Sequence, residues 1–384
     1  MRLVADSGLW STGATGELVA ATPLIAVLEV SGAVLSWTID DPVDEAATQI
    51  TFTDTSRAEW LWRVLGEPGH VALASALAAR DATADNSGSI ELAGVNILPG
   101  SLSPLRRLAV GHWLRRWWPA SRQDGIAGLD RAVLDVEVAV LTAGAQSFFA
   151  DDTLDSDVAG LLAPHAAALI AHLAAGDPRT LDLVRAGAEL AEEFGVDILA
   201  WPDLFAALED SSIPLTMPSG RRDDYALAAG ADTSPAGATP IARGVASINW
   251  SAVPPAIFDA AEDTVQWSVQ PAGVTPVAVV RAALIGPDPS TGIPVQLRSR
   301  AVGAAGVLNA DGNATLPLLD APRGPMTEAA AWDHDWSVTS VIIGAETTES
   351  PEIRERVRRW ARARLDAPPP DAFLAEILAS ESAY

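Results

Sequence analysis

The chain has 384 residues, 49% of them hydrophobic and 20% charged, with a formal net charge of -25; this is the composition of a folded globular protein with room for two or three separately cored domains. It contains no cysteine, and all 25 basic residues are arginine, which excludes thiol nucleophiles, cysteine zinc sites, iron–sulfur clusters, disulfides, lysine Schiff-base enzymes and lysine-dependent phosphate loops. The acidic balance argues against general binding to nucleic-acid phosphates or to an anionic membrane surface.

Residues 1 to 102 read as a mixed, mostly β module. Asp6 comes too early for the apolar segment of a signal peptide, so none is expected. Gly8, Gly13 and Gly16 follow a first strand, but their spacing fits neither the dinucleotide nor the phosphate-loop pattern, and a glycine-rich turn is expected there. Leu24 to Val30 and Ala33 to Ile39 predict a hairpin. The window from Leu18 to Trp37 is the most membrane-like in the chain, yet Pro23, Glu29 and Ser31-Gly32 interrupt it. Thr51 to Thr53 and Ser89 to Leu98 predict further strands. Ser56 predicts a cap for a helix that carries Trp60, Trp62 and Leu65 and stops at Gly66; an alanine-rich helix follows from Val71 to Arg80.

Residues 103 to 210 read as a helical domain. Ser103-Pro104 opens a helix that Pro119 ends, and on it Arg106, Arg107, Arg115 and Arg116 are interleaved with Trp113, Trp117 and Trp118. A membrane-surface helix would segregate these charges from the aromatics, so the arginines are expected to stack on tryptophans and pair with the protein's own acids. Leu129 to Phe149 is the expected core helix, with Leu129, Val133, Val136, Val140 and Ala143 on one stripe and Leu134, Val138 and Leu141 off it. Its acids Asp130, Asp135 and Glu137 fall toward its start, where the helix dipole favours them. The run Asp151 to Asp157 lacks the alternation of a calcium loop and is expected to cap a helix. Pro164 to Gly176 predicts another helix, whose His165 and His172 stand too far apart to chelate one metal ion. Asp177-Pro178 and Gly195 bracket a further helix, with Leu181, Val184, Ala188, Ala191 and Phe194 as its buried stripe. A short helix follows Trp201-Pro202.

Residues 211 to 240, rich in proline and small polar residues, read as a connection, with the cluster Arg221 to Tyr225 as its one charged feature. Residues 241 to 346 read as a β-sandwich. Val265, Trp267 and Val269 alternate cleanly onto one face. Val277 to Leu284 and Val295 to Leu297 are strand-like. Gly306 to Leu308 and Thr315 to Leu318 flank Asn309 to Asn313, a hairpin-type turn, and Trp336 to Ile343 predicts a last strand. Asp333-His334-Asp335 is read as a solvated loop before that strand. From Thr291-Gly292-Ile293-Pro294-Val295-Gln296-Leu297 through Gly306-Val307-Leu308 to Ala310-Asp311-Gly312, the sequence resembles the carboxypeptidase-regulatory or transthyretin-like sandwich modules. The resemblance covers about residues 277 to 319 and implies a binding or structural module.

Residues 347 to 384 predict a terminal helical pair. Ser350-Pro351 opens a helix bearing Arg354, Arg356, Arg358, Arg359, Arg362 and Arg364, with Ile353, Val357, Trp360 and Ala361 as its apolar stripe; after Pro368-Pro369-Pro370, Phe373, Leu374, Ile377 and Leu378 are apolar. The arginines need an acidic surface, supplied either by the protein's own carboxylates or by a partner. On the second alternative Arg354, Arg358, Arg359, Trp360 and Arg362 are the candidate partner-binding residues. The expected fold is α+β and multidomain: a β-rich N-terminal module, a central helical domain, and a C-terminal antiparallel β-sandwich with a terminal helical pair. No linear motif assigns a catalytic, cofactor-binding or metal-binding residue, and no cofactor is expected. The expected function is that of a non-enzymatic interaction or scaffold protein of a bacterial cytoplasm, with a protein partner and neither nucleic acid nor membrane. The alternative is a hydrolase or other enzyme whose His and Asp/Glu residues meet only in the fold.

Overall fold

In the computed structural model, which describes residues 1–6, 9–12, 23–41, 48–81, 88–149, 151–196, 201–211, 239–273, 275–320 and 324–382, the N-terminal strands form one antiparallel sheet. Its strands are β1 (Arg2–Asp6), β2 (Leu9–Thr12), β3 (Ile25–Val30), β4 (Ala33–Thr38), β5 (Gln49–Phe52) and β6 (Ser89–Glu91), in the order β3-β4-β5-β2-β1-β6. Alternation places Leu3, Trp10, Leu28, Leu35 and Ile50 on a buried face, and successive residues take the opposite face. The expected hairpin is β3–β4, closed through Gly32. Gly32 has φ 75, and a Cβ there would lie 2.1 Å from the Asp54 carbonyl oxygen, so both conformation and space require glycine. The strand expected from Ser89 to Leu98 covers only its first three residues. The chain turns at 92–95, where Val95 N–H donates to Leu92 O and Gly94 has φ 74. Gly8, Gly13 and Gly16 lie outside the described residues.

The helix cap expected at Ser56 is supplied instead by Asp54, whose carboxylate accepts the Ser56 N–H and starts a 3-10 turn, Thr55–Arg57. An ionised carboxylate is the stronger acceptor of the two. The two helices expected on either side of Gly66 run end to end as α1 (Leu61–Asp81), kinked at Gly66 with φ 71 and ψ 161. Then come α2 (Ser103–Trp117), α3 (Arg131–Gly144), α4 (Asp151–Leu162), α5 (Ala166–Ala175), α6 (Pro178–Glu193) and α7 (Trp201–Ser211). Asp177 caps α6 as expected, while Asp130, expected inside the core helix, caps α3. Gly176 ends α5 in the left-handed conformation. Ser103 lies inside the first turn of α2, whose cap position is Leu102 with no side-chain bond. The side chains of residues 151–156, on which the reading of the acidic run turns, are outside the description. One stretch, Asp157–Ala175, has the length and hydropathy of a membrane span. It is broken by a 3-10 turn at Ala163–His165 and tied to α3 by a His165–Asp135 hydrogen bond.

The chain divides into two compact units. The first gathers residues 1–118, 129–210 and 351–384, and the second gathers 119–128 and 211–350. Boundaries read along the sequence follow element type, whereas these units follow contact. In the second unit, a four-stranded antiparallel sheet contains β7 (Ala242–Ala246), β8 (Val265–Gln270), β9 (Val277–Ala282) and β12 (Asn313–Pro317), in the order β12-β9-β8-β7. A five-stranded one contains β10 (Pro294–Ser299), β11 (Val302–Val307), β13 (Leu319–Asp320), β14 (Gly324–Pro325) and β15 (Ser340–Ile343), in the order β14-β13-β11-β10-β15. Val265, Trp267 and Val269 are buried as their alternation requires. The turn at Asn309 forms, with the Asn309 carboxamide accepting the Asp311 and Asn313 amides. It does not close a hairpin, because β11 and β12 enter different sheets; it carries the chain from one sheet to the other. The strand expected from Trp336 begins only at Ser340. Trp336–Val338 is a 3-10 turn capped by Asp335, following α8 (Glu328–Asp333). Residues 119–128, between α2 and α3 in sequence, bond to this unit through Ala260 N–H to Ala120 O and Arg122 N–H to Asp259 Oδ2. Residues 212–238, with the Arg221 cluster, are outside the described residues.

Two terminal helices, α9 (Pro351–Asp366) and α10 (Leu374–Ser382), complete the first unit. Trp113 of α2 donates its indole N–H to Pro23 O at the start of the β3 hairpin and meets Trp360 of α9 edge-on at 5.0 Å. Two glycines let helices close on α3. A Cβ at Gly111 of α2 would lie 2.7 Å from Val138 and 2.8 Å from Phe373, and one at Gly187 of α6 would lie 2.6 Å from Val136.

In the second unit, Gly244 of β7 lies under the Trp267 indole, where a Cβ would approach to 2.6 Å. Trp267→Ala is therefore expected to cost about 3–5 kcal/mol in chemical denaturation, and a loss under about 1 kcal/mol would show that the indole does not close this core.

Candidate functional site

Charged residues on a helix enclosed on several sides must find partners or lose their charge. Helix α3 carries such a residue in its second turn: Asp135 is 2% exposed. Its Oδ1 accepts Arg115 Nε at 2.6 Å, and its Oδ2 accepts Arg131 Nε at 3.0 Å, His165 Nε2 at 2.9 Å and Arg115 Nη2 at 3.3 Å. Arg131 also donates to the Arg115 carbonyl at 2.8 Å, closing the base of the α2–α3 connection. An ionised carboxylate only accepts, so Nε2 of His165 carries the proton. Burial alone would raise the Asp135 pKa, but the His165 and Arg115 hydrogen bonds and the charges of Arg115 and Arg131 outweigh it and hold the group below the usual carboxylate range.

One helical stretch away the pattern repeats. Asp130 caps α3 through Oδ1 and accepts His172 Nε2 at 2.9 Å through Oδ2. The two histidines, seven residues apart, meet two acids five residues apart in reverse order, because the segment carrying them runs antiparallel to α3. His112 of α2, half-buried beside the cluster, has its pKa pushed down to about 4. Loss of water is the main cause, the Arg115 charge adds to it, and Asp135 pulls the other way. Among the described residues no group of three or more His, Asp or Glu side chains is placed to hold a metal ion.

Chemically, this arrangement is closed. Two carboxylate oxygens offer about four acceptor positions, and four donor contacts converge on Asp135, three on Oδ2 and one on Oδ1. Enclosed at 2% exposure and held ionised by these donors, the carboxylate acts as a knot joining α2, α3 and the α4–α5 turn. The sequence placed Asp130 and Asp135 at the helix start for dipole reasons. The overlooked signal was that a helix apolar over most of its girth leaves no solvent face for a second-turn acid.

A second constellation lies in the second unit. Ser299, at the end of β10 and 0% exposed, is 3.0 Å from His334 Nε2. The imidazole packs edge-on against Trp336 at 4.5 Å. Asp335 bonds Arg300 and the Ser337 amide. The Ser337 bonds and the Arg300 charge hold its pKa below the usual range. His334 is thus half-buried and partnered, in place of the solvated loop expected from the sequence. Asp333 ends α8 and Asp335 caps the turn that follows.

The C-terminal arginines divide. Arg354 and Arg358 are buried at 4% and 3% exposure, Trp360 is half-buried with Arg364 stacked on it at 4.8 Å, and Arg362 bonds Glu355 at 2.9 Å. Arg359 is exposed. Outside the candidate set, Arg356 pairs with Asp40. Arg364 grips the fully enclosed Glu376 at 2.6 and 2.7 Å and reaches Asp371, which also receives Arg106. Glu376 further accepts the Phe373 amide, and Glu137 of α3 accepts Arg107 at 2.5 Å and the Leu374 amide at 2.7 Å. Burial raises the Glu137 pKa against the pull of the Leu374 amide and Arg107. A ring of ion pairs thus ties α9 and α10 to α2 and α3.

No family model, no curated protein and no solved structure matches this chain.

Two outcomes follow from this geometry. His112 is neutral in the folded chain down to about pH 4 but protonates near 6.5 when unfolded. The unfolded state therefore binds the extra proton, and stability falls as pH drops from about 6.5 to about 4, with a slope up to about 1.4 kcal/mol per unit. Denaturation across that range should show the slope flattened in His112→Gln; an unchanged slope would remove His112 as its source. Glu376→Ala leaves buried Arg364 with only the longer Asp371 contact and is expected to cost about 3–5 kcal/mol, while the double change Glu376→Leu with Arg364→Met recovers most of it. A double-mutant cycle showing simple additivity would contradict this.

Proposed function

We propose that this protein acts as a non-enzymatic interaction or scaffold protein of a bacterial cytoplasm. The observation that carries this reading is the enclosure of Asp135: where α3 meets histidine and arginine, four donor contacts close over a buried carboxylate and are spent in joining helices. Polar groups spent in this way rigidify a framework and leave recognition to the surface. That surface includes exposed apolar side chains at Val27, Trp62 and Val71 in one unit and at Val245 and Trp332 in the other. The resemblance of residues 277 to 319 to sandwich modules with binding or structural roles points the same way. The bacterial assignment follows from the arginine-only basic complement and the wealth of alanine.

A second reading, a serine-dependent hydrolase, is favoured by the 3.0 Å approach of Ser299 and His334, the reach at which a base activates a nucleophile. Against it, Ser299 is wholly enclosed. A fluorophosphonate probe separates the two. No adduct at Ser299 is expected by mass spectrometry; stoichiometric labelling that disappears in His334→Ala would make the protein an enzyme. Cross-linking in a bacterial lysate should yield defined partner cross-links on the exposed surface, and their absence under conditions that preserve the fold would remove the scaffold function.

A further inference from the structure

The six-stranded sheet of the first unit has two edges, and they are unlike. At one end β6 is three residues long and includes Glu91, a short edge of the kind that discourages further pairing. At the other end β3 is six residues long, Ile25-Ala26-Val27-Leu28-Glu29-Val30, paired one-to-one with β4 and so without a bulge. It contains no proline, arginine or inward-facing charge, and Val27 at its middle is 50% exposed.

The direction of its backbone groups follows from the hairpin. A two-residue turn at Ser31-Gly32 makes Val30 and Ala33 the first hydrogen-bonded pair, so Val30, Leu28, Ala26 and Leu24 face β4. The Ile39 amide bonding to Leu24 O fits that parity. The alternate residues Ile25, Val27 and Glu29, and Ser31 after them, point their N–H and C=O groups off the sheet. At Ser31 the outward slot is filled, since its N–H donates to Phe148 O at 2.8 Å. Beside that filled slot, Ile25, Val27 and Glu29 have no backbone partner among the described residues, leaving about six hydrogen-bonding groups in line.

Building on the interaction function above, we propose that the β3 edge is a docking site for an extended segment of a partner protein, which adds as a seventh strand. Its required chemistry is an apolar, β-branched residue beside Val27 and a cationic residue beside Glu29. Charge selects this occupant. Glu29 is the only charge on the strand, and the whole chain carries -25. A second copy would bring the same excess of negative charge to the edge, whereas a basic segment is attracted to it.

The test uses the full chain and blocked synthetic peptides of about seven residues that alternate Thr and Val, ending in Arg in one series and in Glu in the other. In the free chain the Ile25, Val27 and Glu29 amides are expected to exchange rapidly with solvent. Saturating Arg-ended peptide should slow their exchange about tenfold or more, and the Glu-ended series should bind about tenfold more weakly. Val27→Pro removes an outward N–H, not a hairpin bond, and should abolish binding with the fold retained by circular dichroism. Glu29→Lys keeps the backbone edge and should reverse the preference between the two series. The proposal is overturned if the three amides are already protected in the free chain, if neither series binds, or if binding survives Val27→Pro. It is equally overturned by a monomer–dimer equilibrium in sedimentation that Val27→Pro abolishes, since the occupant is then a second copy. Lysate cross-links that persist in Val27→Pro would sink the edge alone and leave the interaction function standing. Adduct formation at Ser299 would sink that function whatever happens at the edge.

Discussion

The first unit is organised by a single electrostatic constraint: α3 is enclosed by its neighbours yet carries three acids. Each acid is met by a different neighbour. Asp130 takes His172, Asp135 takes Arg115 and His165, and Glu137 takes Arg107 and the Leu374 amide. The apolar contacts at Gly111 and Gly187 bring helices close, but such contacts tolerate several rotations and registers. The enclosed carboxylates of Asp135 and Glu137 do not, because an unmatched one costs several kcal/mol. Hydrophobic burial supplies the attraction here, and the acids of α3 select which packing of the helices is allowed.

The same logic disposes of most of the arginines. A chain with this excess of negative charge has acids to spare, and those without partners stay in water. Arg106, Arg107, Arg115, Arg356 and Arg364 each find a carboxylate far away in sequence or on another element. The guanidinium serves this purpose better than an ammonium group, since it bonds two oxygens at once and stacks on the Trp360 and Phe373 rings while doing so. An absence of lysine, read from the sequence only as an exclusion of chemistries, has a constructive side in the ion-pair ring around α10.

Local structure was legible where one residue decides it. Gly66 interrupts α1 and Gly176 ends α5; Asp177 caps α6; the alternation at Val265, Trp267 and Val269 sets a buried face. Legibility failed where the decision is made at a distance. Asn309 to Asn313 carries every sign of a hairpin turn, and the turn forms, yet which sheets the flanking strands join depends on β9 and β10. Asp335 looked like one flank of a strand and proved to be a turn cap. The histidines at 165 and 172 were judged by their distance from each other, when what matters is the spacing of two acids on another helix. The cluster around Asp135 was invisible for the same reason: sequence shows a charge in an apolar helix but not the four donor contacts that close over it. The grouping of residues 351–384 with the first unit is equally a matter of contact.

That grouping also sets a timetable. Residues 211–350, with 119–128, hold all that the second unit needs, and every part of it is synthesised before α9. Helix α3 waits longer: Glu137 and Leu374 are 237 residues apart, which at about 5–20 residues per second is roughly 12–47 s of synthesis. For that interval the nascent first unit carries an unfilled groove where Phe373 will sit, lined by Val138 and Gly111, with the Glu137 carboxylate lacking its last donor. The unit begun earliest is therefore the one completed last.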